Sequence, residues 1–321
     1  MSAGTDAQDW AIKFEDAGKR FGDRWVLEHV DLGVPRGTIY GLIGPSGSGK
    51  TTAVRLANGV YRPDAGRVEM LGRPASRLRP RERAEIGYLP QQPALFQSLS
   101  LWENLNFHAA VNGVRFRRRA RLRELLDLVD LGDDAGKQVS QSSGGMQRRL
   151  ALAATLVHQP SVLLLDEPTA GIDPILRRRF WEHFRALAAA GHTLVVTTQY
   201  IGEAADCDLV GLLAEGGVAA SGSPADLQRA AVGGELVEVE TNNVVDATVA
   251  DEVAQAVGAS SYEYRGPRLL RFVVEDAGVV LPTVVQQLEQ RGFSAVHIEE
   301  VVPPFDEVFI SLVGAAKENA A

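Results

Sequence analysis

Gly44-Pro45-Ser46-Gly47-Ser48-Gly49-Lys50-Thr51 decides the fold of this chain. The stretch fits G-x-x-x-x-G-K-[ST], and its flanks fit as well. The aliphatic run Ile39–Ile43 before it reads as a buried strand, and a helix from about Lys50 follows, stopping at Asn58-Gly59. Glycines let backbone N–H groups turn inward onto phosphate oxygens, and the helix start adds a positive dipole. Lys50 supplies a cation for outer phosphates, and Thr51 offers a hydroxyl to Mg²⁺, which prefers oxygen ligands beside phosphate. The plainer alternative, a glycine-rich strand-to-helix turn, is weakened by the agreement of sequence and context.

Working outward, Val162-Leu163-Leu164-Leu165-Asp166-Glu167 places two carboxylates at the end of a second buried strand. Open α/β sheets bind ligands at the carboxyl ends of their strands. Asp166 is the expected Mg²⁺ partner, through water, and Glu167 is placed to polarise an attacking water as general base. Taken alone, the pair is also compatible with an ordinary strand end entering a polar loop. Ile86–Leu89 and the β-branched Thr193–Thr198 read as further central strands. The helix before the last strand is punctuated by Asp173 as N-cap, Pro174 at its first position and Gly191 beyond its end. Ile175, Leu176, Phe180, Phe184 and Leu187 are expected to mark its buried face. Residues from about 92 to 160 have a helical pattern, as in Leu122, Leu125, Leu126 and Val129, which predicts a helical subdomain inserted between two strands.

The 321 residues set a prior of about two domains. Hydrophobic residues at 45% and charged residues at 23% exclude a disordered chain. Cys207 is the only cysteine, so neither an intrachain disulfide nor a thiolate zinc cage can form, and a reducing cytosol is the simplest compartment. The start of the sequence carries Asp6 and Asp9 and no apolar core of a secretory signal. No apolar run reaches the roughly 18 residues of a membrane span. Residues 231–321 hold 5 basic and 15 acidic residues, a net of −10, against 28 basic and 26 acidic, +2, in residues 1–230. That shift predicts a domain boundary near Gly233-Gly234. The C-terminal part reads strand (236–240), helix (247–257), strand (261–265), strand (269–274), helix (279–290), strand (295–299), with a helical tail from Phe305. The order βαββαβ suggests a small ferredoxin-like sandwich. Neither part is basic enough to make nucleic acid the main partner.

Gln141-Ser142-Ser143-Gly144-Gly145-Met146-Gln147-Arg148-Arg149-Leu150 lies shortly before the acidic strand, and Ala170-Gly171-Ile172-Asp173 follows it. With these motifs in order, residues 10–230 resemble the ATP-binding subunit of ABC transporters. The resemblance implies a P-loop NTPase (RecA-like) α/β core with an antiparallel β subdomain and an inserted helical subdomain. It implies ATP and Mg²⁺ as ligands, and head-to-tail pairing with a second copy or a homologous subunit. Ser143, Gly144 and Gly145, a helix start suited to anions, would face the γ-phosphate held by the partner. The resemblance also implies that Phe21 stacks on adenine, that Thr52 lines the nucleotide, and that Gln91 reaches Mg²⁺ and the attacking water. Asp173 would cross the dimer interface, a role its N-cap duty does not exclude. A core strand phenylalanine is the plainer reading of Phe21. Ser142 and Met146 depart mildly from the family signature. Gln199 stands where the family normally has a histidine on the γ-phosphate, so a catalytic or merely strand-capping role is open. Thr197-Thr198-Gln199-Tyr200-Ile201-Gly202-Glu203-Ala204 and Pro303-Pro304-Phe305-Asp306-Glu307-Val308-Phe309 look like the daunorubicin and polyketide drug-exporter branch. A separate permease, export rather than import, and a peripheral position on the cytoplasmic face of the membrane are implied. The rivals are a soluble ABC ATPase acting on nucleic acid or the ribosome, and a weakly hydrolysing regulatory module.

Other features read more simply. His29, His108, His158, His183, His192 and His297 lack metal-ligand spacing. The run Arg115, Arg117, Arg118, Arg119, Arg121, Arg123 is a solvated helix face by default, with acidic lipid headgroups as the sharper reading. Cys207 is expected to be a packing residue.

Overall fold

The computed structural model describes residues 9–114 and 118–320. Asp6, and Arg115 and Arg117 of the basic run, lie outside the described residues. The chain divides into two compact units, the first ending at Gly222 and the second starting at Ser223.

The first unit opens on two long antiparallel strands, β1 (Trp10–Phe21) and β2 (Arg24–Pro35). The next strand, β3 (Ile39–Ile43), is buried at every position and runs into the phosphate loop, from which α1 (Lys50–Ala57) departs. Two more strands, β4 (Ala65–Met70) and the short β5 (Arg73–Pro74), extend the antiparallel sheet in the order β2-β1-β4-β5. Ile12, Phe14, Val34, Val68 and Met70 from this sheet meet Leu42, Val54 and Leu56 in one core. After the single turn of α2 (Pro80–Arg83), β6 (Ile86–Leu89) enters the main sheet.

The inserted region then forms α3 (Leu101–Val111), α4 (Arg119–Leu128) and α5 (Gly144–Leu156). Ser100 and Glu103 start α3 with a reciprocal capping box. Leu122, Leu125, Leu126 and Val129 are buried, as their spacing predicts. The remaining elements of this unit are β7 (Val162–Asp166), α6 (Pro174–Ala189), β8 (Thr193–Thr198), β9 (Leu209–Ala214) and β10 (Gly217–Gly222). The main sheet has the order β10-β9-β3-β8-β7-β6, parallel except for β10 at its edge. Its central strands are covered on both faces, which is why they read as unbroken aliphatic runs.

The buried stripe of α6 differs from expectation. Leu176, Phe180, Trp181 and Phe184 are buried, whereas Ile175 is 78% exposed and Leu187 only half-buried. Helical periodicity stacks Ile175 with Arg178, Arg179 and Glu182, the charged face, and brings both Phe180 and Trp181 onto Phe184.

The second unit starts with α7 (Pro224–Val232), a helix that straddles the charge shift at 230/231, so the unit begins eight residues before that shift. It continues as β11 (Glu235–Thr241), α8 (Ala247–Ala256), β12 (Ser261–Gly266), β13 (Leu269–Val274), α9 (Ala277–Glu289), β14 (Ala295–Val301) and α10 (Phe305–Ala320). Its four strands form one antiparallel sheet in the order β12-β13-β11-β14. Val237, Val239, Leu270 and Phe272 from the sheet pack with Val253, Val284 and Leu288 from α8 and α9.

Candidate active site

Sheet order brings the sequence-predicted residues to one edge. Since β8 lies between β3 and β7, with β6 beyond β7, four carboxyl ends stand side by side. The phosphate loop follows β3, Gln199 follows β8, Asp166 and Glu167 end β7, and Gln91 comes two residues after β6.

The phosphate loop is held by geometry that only glycine fits. Gly49 caps α1 with φ +107°, and a Cβ on Gly44 would lie 2.1 Å from the Leu213 carbonyl. No side chain caps α1, and its first turn contains no acid. Its leading N–H groups therefore point their positive dipole at the loop. The Ser48 hydroxyl is buried without a partner, among the described residues. Lys50 is 4% exposed, and its Nζ donates to the Gly44 and Pro45 carbonyls at 2.7 and 2.9 Å. An ammonium has three donors, so one remains for a ligand. Burial pushes the Lys50 pKa down, and the charges of Glu167 and Asp166 oppose that shift.

Asp166 is fully buried, and its Oδ1 accepts from Thr197 Oγ1 at 2.6 Å and Thr51 Oγ1 at 3.2 Å. Its Oδ2 is buried without a hydrogen-bond partner among the described residues. An orphaned carboxylate oxygen beside a threonine hydroxyl is a donor set that fits a hard, oxygen-seeking cation such as Mg²⁺. Glu167 adopts φ +52°, and its N–H donates to both Thr197 O and Thr197 Oγ1 at 3.0 Å. Gln91 Nε2 donates to Glu167 Oε2 at 3.4 Å. Two residues separated by 76 positions are thus joined at one carboxylate.

The other predicted residues sit around this centre. Phe21 is 46% exposed, not a core side chain, and meets Tyr61 edge-on at 5.3 Å between centroids. Thr52 is half-buried in the first turn of α1. Ser143 caps α5 by accepting from Met146 N at 3.3 Å, which leaves Gly144 and Gly145 at the exposed helix start. No hydrogen bond among the described residues joins Ser143, Gly144 or Gly145 to the phosphate loop. Asp173 accepts from the Ile175 and Leu176 amides at 3.1 and 3.0 Å, the cap its position predicts. Gln199 is exposed at the strand end, and its side chain has no hydrogen bond among the described residues.

Sequence reasoning missed three residues here. Thr197 passed as one more β-branched strand residue, although its hydroxyl serves both carboxylate positions. Tyr61, beyond α1, is the aromatic ring packed edge-on against Phe21. Arg148 passed as part of the signature, yet it reaches the backbone of Gln91, Asp166 and Glu167. Burial lowers its pKa, and the two nearby carboxylates act against that.

A family model described as ABC transporter matches residues 27–170. Over 308 residues the chain is 40% identical to a daunorubicin resistance ATP-binding protein of Streptomyces coeruleorubidus, covering 95% of this chain and 96% of that one. The chain belongs to the ABC transporter family. A Nod factor export ATP-binding protein of Rhizobium etli is 34% identical over 313 residues, covering 96% and 95% of the two chains. Among solved structures, the ATP-binding subunit of an ABC transporter superposes with TM-score 0.63 at 26% identity, over 68% of this chain and 92% of that one. A dimeric bacterial ABC transporter cassette gives TM-score 0.61 at 28% identity, over 66% and 98%. This ABC protein is an ATP-binding subunit related to drug and Nod factor export proteins, and its activity is ATP hydrolysis.

Proposed function

We propose that two such cassettes, two copies of this chain or this chain and a homologue, close head to tail over Mg-ATP and drive a separate permease. The observation that carries this reading is a division of labour within one chain. Lys50 and the acidic pair share one sheet edge, whereas no hydrogen bond among the described residues joins the anion-suited start of α5 to the phosphate loop. One chain has each feature once, so a complete site takes two chains. The dimeric cassettes among its structural relatives support that arrangement.

Phosphoryl transfer to water asks a protein mainly for positioning and charge. The α1 amides and Lys50 hold the outer phosphates, and the Phe21–Tyr61 wall takes the adenine. Asp166 Oδ2, Thr51 Oγ1 and Gln91 Oε1 are the oxygens that would hold Mg²⁺, which would supply positive charge to the bound phosphates. Glu167 accepts the proton of the attacking water, with its carboxylate oriented by Gln91 Nε2. Gln199 lies between the phosphate loop and the acidic pair and donates its side-chain N–H to the γ-phosphate. Across the interface, Ser143, Gly144 and Gly145 bind that phosphate from the other side, and Asp173 reaches over the seam.

In this reading the permease holds the subunit at the cytoplasmic face of the membrane; no described helix is itself long and apolar enough to cross one. The names of the relatives favour export of a drug-like, lipid or polyketide cargo. Residues 231–321 are read as an accessory, ferredoxin-like regulatory domain outside the ATP site. Glu167→Gln tests the core of the proposal: it should keep nucleotide binding, slow hydrolysis and trap an ATP-dependent dimer on size-exclusion chromatography. A Glu167→Gln protein that stays monomeric, alone and with its membrane subunit, refutes it.

A further inference from the structure

Arg148 begins the second turn of α5, the helix that Ser143 caps. Its Nη1 donates to the Gln91 carbonyl at 2.9 Å. Its Nη2 donates to the Asp166 carbonyl at 2.8 Å and also to the Glu167 carbonyl. All three acceptors are backbone atoms, so the guanidinium fixes the path of two loops, while the Asp166 and Glu167 carboxylates act on it only through space. The Arg148 Nε is buried without a hydrogen-bond partner among the described residues. A half-buried cation that spends its bonds on carbonyls is a costly way to gain stability, because charge desolvation offsets much of the gain. It is an effective way to fix a position, since the planar fork holds several acceptors at once.

Among what it fixes is a residue whose backbone needs holding. Glu167 is a non-glycine residue at φ +52°, a conformation that persists only when its surroundings impose it. Thr197 holds the Glu167 peptide from its N–H side, and Arg148 holds it from its carbonyl side.

We propose that Arg148 is a positioning residue that ties the Ser143-capped helix to the backbones of Gln91 and Glu167, so that displacement of α5 displaces the hydrolytic carboxylate. The inference rests on the head-to-tail reading above. In that reading α5 meets the nucleotide of one site at its cap and, one turn later, sets the carboxylate of the other site. Engagement of one nucleotide is thereby transmitted to hydrolysis of the second.

The test uses the full chain and the variants Arg148→Met, Arg148→Lys, Ser143→Ala and Ser143→Ala/Arg148→Lys. Steady-state hydrolysis gives kcat, and fluorescent-nucleotide binding with Mg²⁺ gives Kd. Misplacing a reacting group by about 1 Å can cost about 10²-fold, so Arg148→Met should lose about 10- to 100-fold in kcat while Kd stays within about threefold. Arg148→Lys keeps the charge without the fork and should fall between. If Arg148→Met fails to fold, Arg148→Lys carries the decision. The double variant should lose less than the product of the single losses, because both residues act through one helix. Wild-type kcat in Arg148→Lys and Arg148→Met overturns the positioning role. So does a loss confined to Kd, and strictly multiplicative losses overturn the link to the Ser143 helix. Glu167→Gln hydrolysing like wild type instead overturns the underlying assignment of the carboxylate, and the inference with it.

Discussion

Replacing Thr197 by valine isolates one hydroxyl on which both carboxylates depend. Valine keeps the shape and the strand preference, so β8 should form unchanged. What disappears is the 2.6 Å donor to Asp166 Oδ1 and one of two acceptors for the Glu167 N–H. The second loss is small, because Thr197 O still accepts that N–H at 3.0 Å. The first is not, because Asp166 is fully buried and retains only the 3.2 Å bond from Thr51 on that oxygen. A hydrogen bond to a charged group contributes about 1.5–3 kcal/mol, and a buried acceptor left short loses most of that. If the whole cost falls on the nucleotide-bound state, kcat/KM for Mg-ATP drops by about 10- to 150-fold, at about 1.4 kcal/mol per decade. Thr197→Ser keeps the hydroxyl and should stay within about fivefold of wild type, the remainder reflecting a lost methyl group of about 1 kcal/mol. Steady-state phosphate release over a range of ATP concentrations at saturating Mg²⁺ measures this. Thr197→Val with wild-type kcat/KM, beside an inactive Asp166→Asn, would refute the claim that Thr197 orients the carboxylate.

Gln199→Ala should lower kcat, toward or below the small end of the 10²–10³ range known for a lost transition-state donor, because Lys50 shares the charge. Gln199→His should remain active and add a pH dependence near 6–7; wild-type rates in Gln199→Ala would mean that Gln199 does not contact the γ-phosphate. Phe21→Ala should weaken ATP binding by about 1–3 kcal/mol, the scale of base–aromatic stacking, while Phe21→Trp preserves it; equal Kd values in both variants would remove Phe21 from the adenine site. Burial holds the pKa of His108, His158 and His183 below 6.5 in the folded chain. Their contribution to stability is therefore complete above about pH 6.5 and is lost as the pH falls below it, because the unfolded chain then binds more protons. Thermal melts from pH 8 to pH 5.5 should show a falling Tm, less steeply when His158 is replaced by Asn.

The parts of this site that were legible in the sequence are those in which chemistry and local geometry coincide. The phosphate loop needs a strand, a glycine-rich turn and a helix in immediate succession, and the carboxylates need only a strand end. Asp173 and Ser143 were legible for the same reason, since an N-cap works over three residues. Arg148 was not, because its bonds to Gln91 and Glu167 span 57 and 19 positions and exist only once β6 and β7 are neighbours. Thr197 was hidden by its own propensity: a β-branched residue in a strand invites no second explanation. Phe21 was ambiguous until its exposure excluded the core reading. Ile175 departs from the expected face of α6 because it stacks on the turn of Arg178, Arg179 and Glu182, and apolarity alone does not set which face a residue near a helix start takes.

Chain order and sheet order together explain why the site is built where it is. After β3 the chain crosses to β6 at the far edge of the sheet and returns inward through β7 and β8. Strands that are neighbours in space therefore deliver their loops to the same edge from four separate stretches of sequence. The helical region is inserted between β6 and β7, which pair directly from Ile86 with Val162 to Leu89 with Leu165. Its entry and exit are consequently brought together by the sheet itself. Gln91 stands at the entry and α5 forms the exit, so the Arg148–Gln91 bond closes the neck of the insertion. The same guanidinium reaches the end of β7, and the neck thus coincides with the acidic pair. The neck is thus fastened to the backbones of Gln91, Asp166 and Glu167, the residues through which the proposed displacement of α5 would reach the hydrolytic carboxylate.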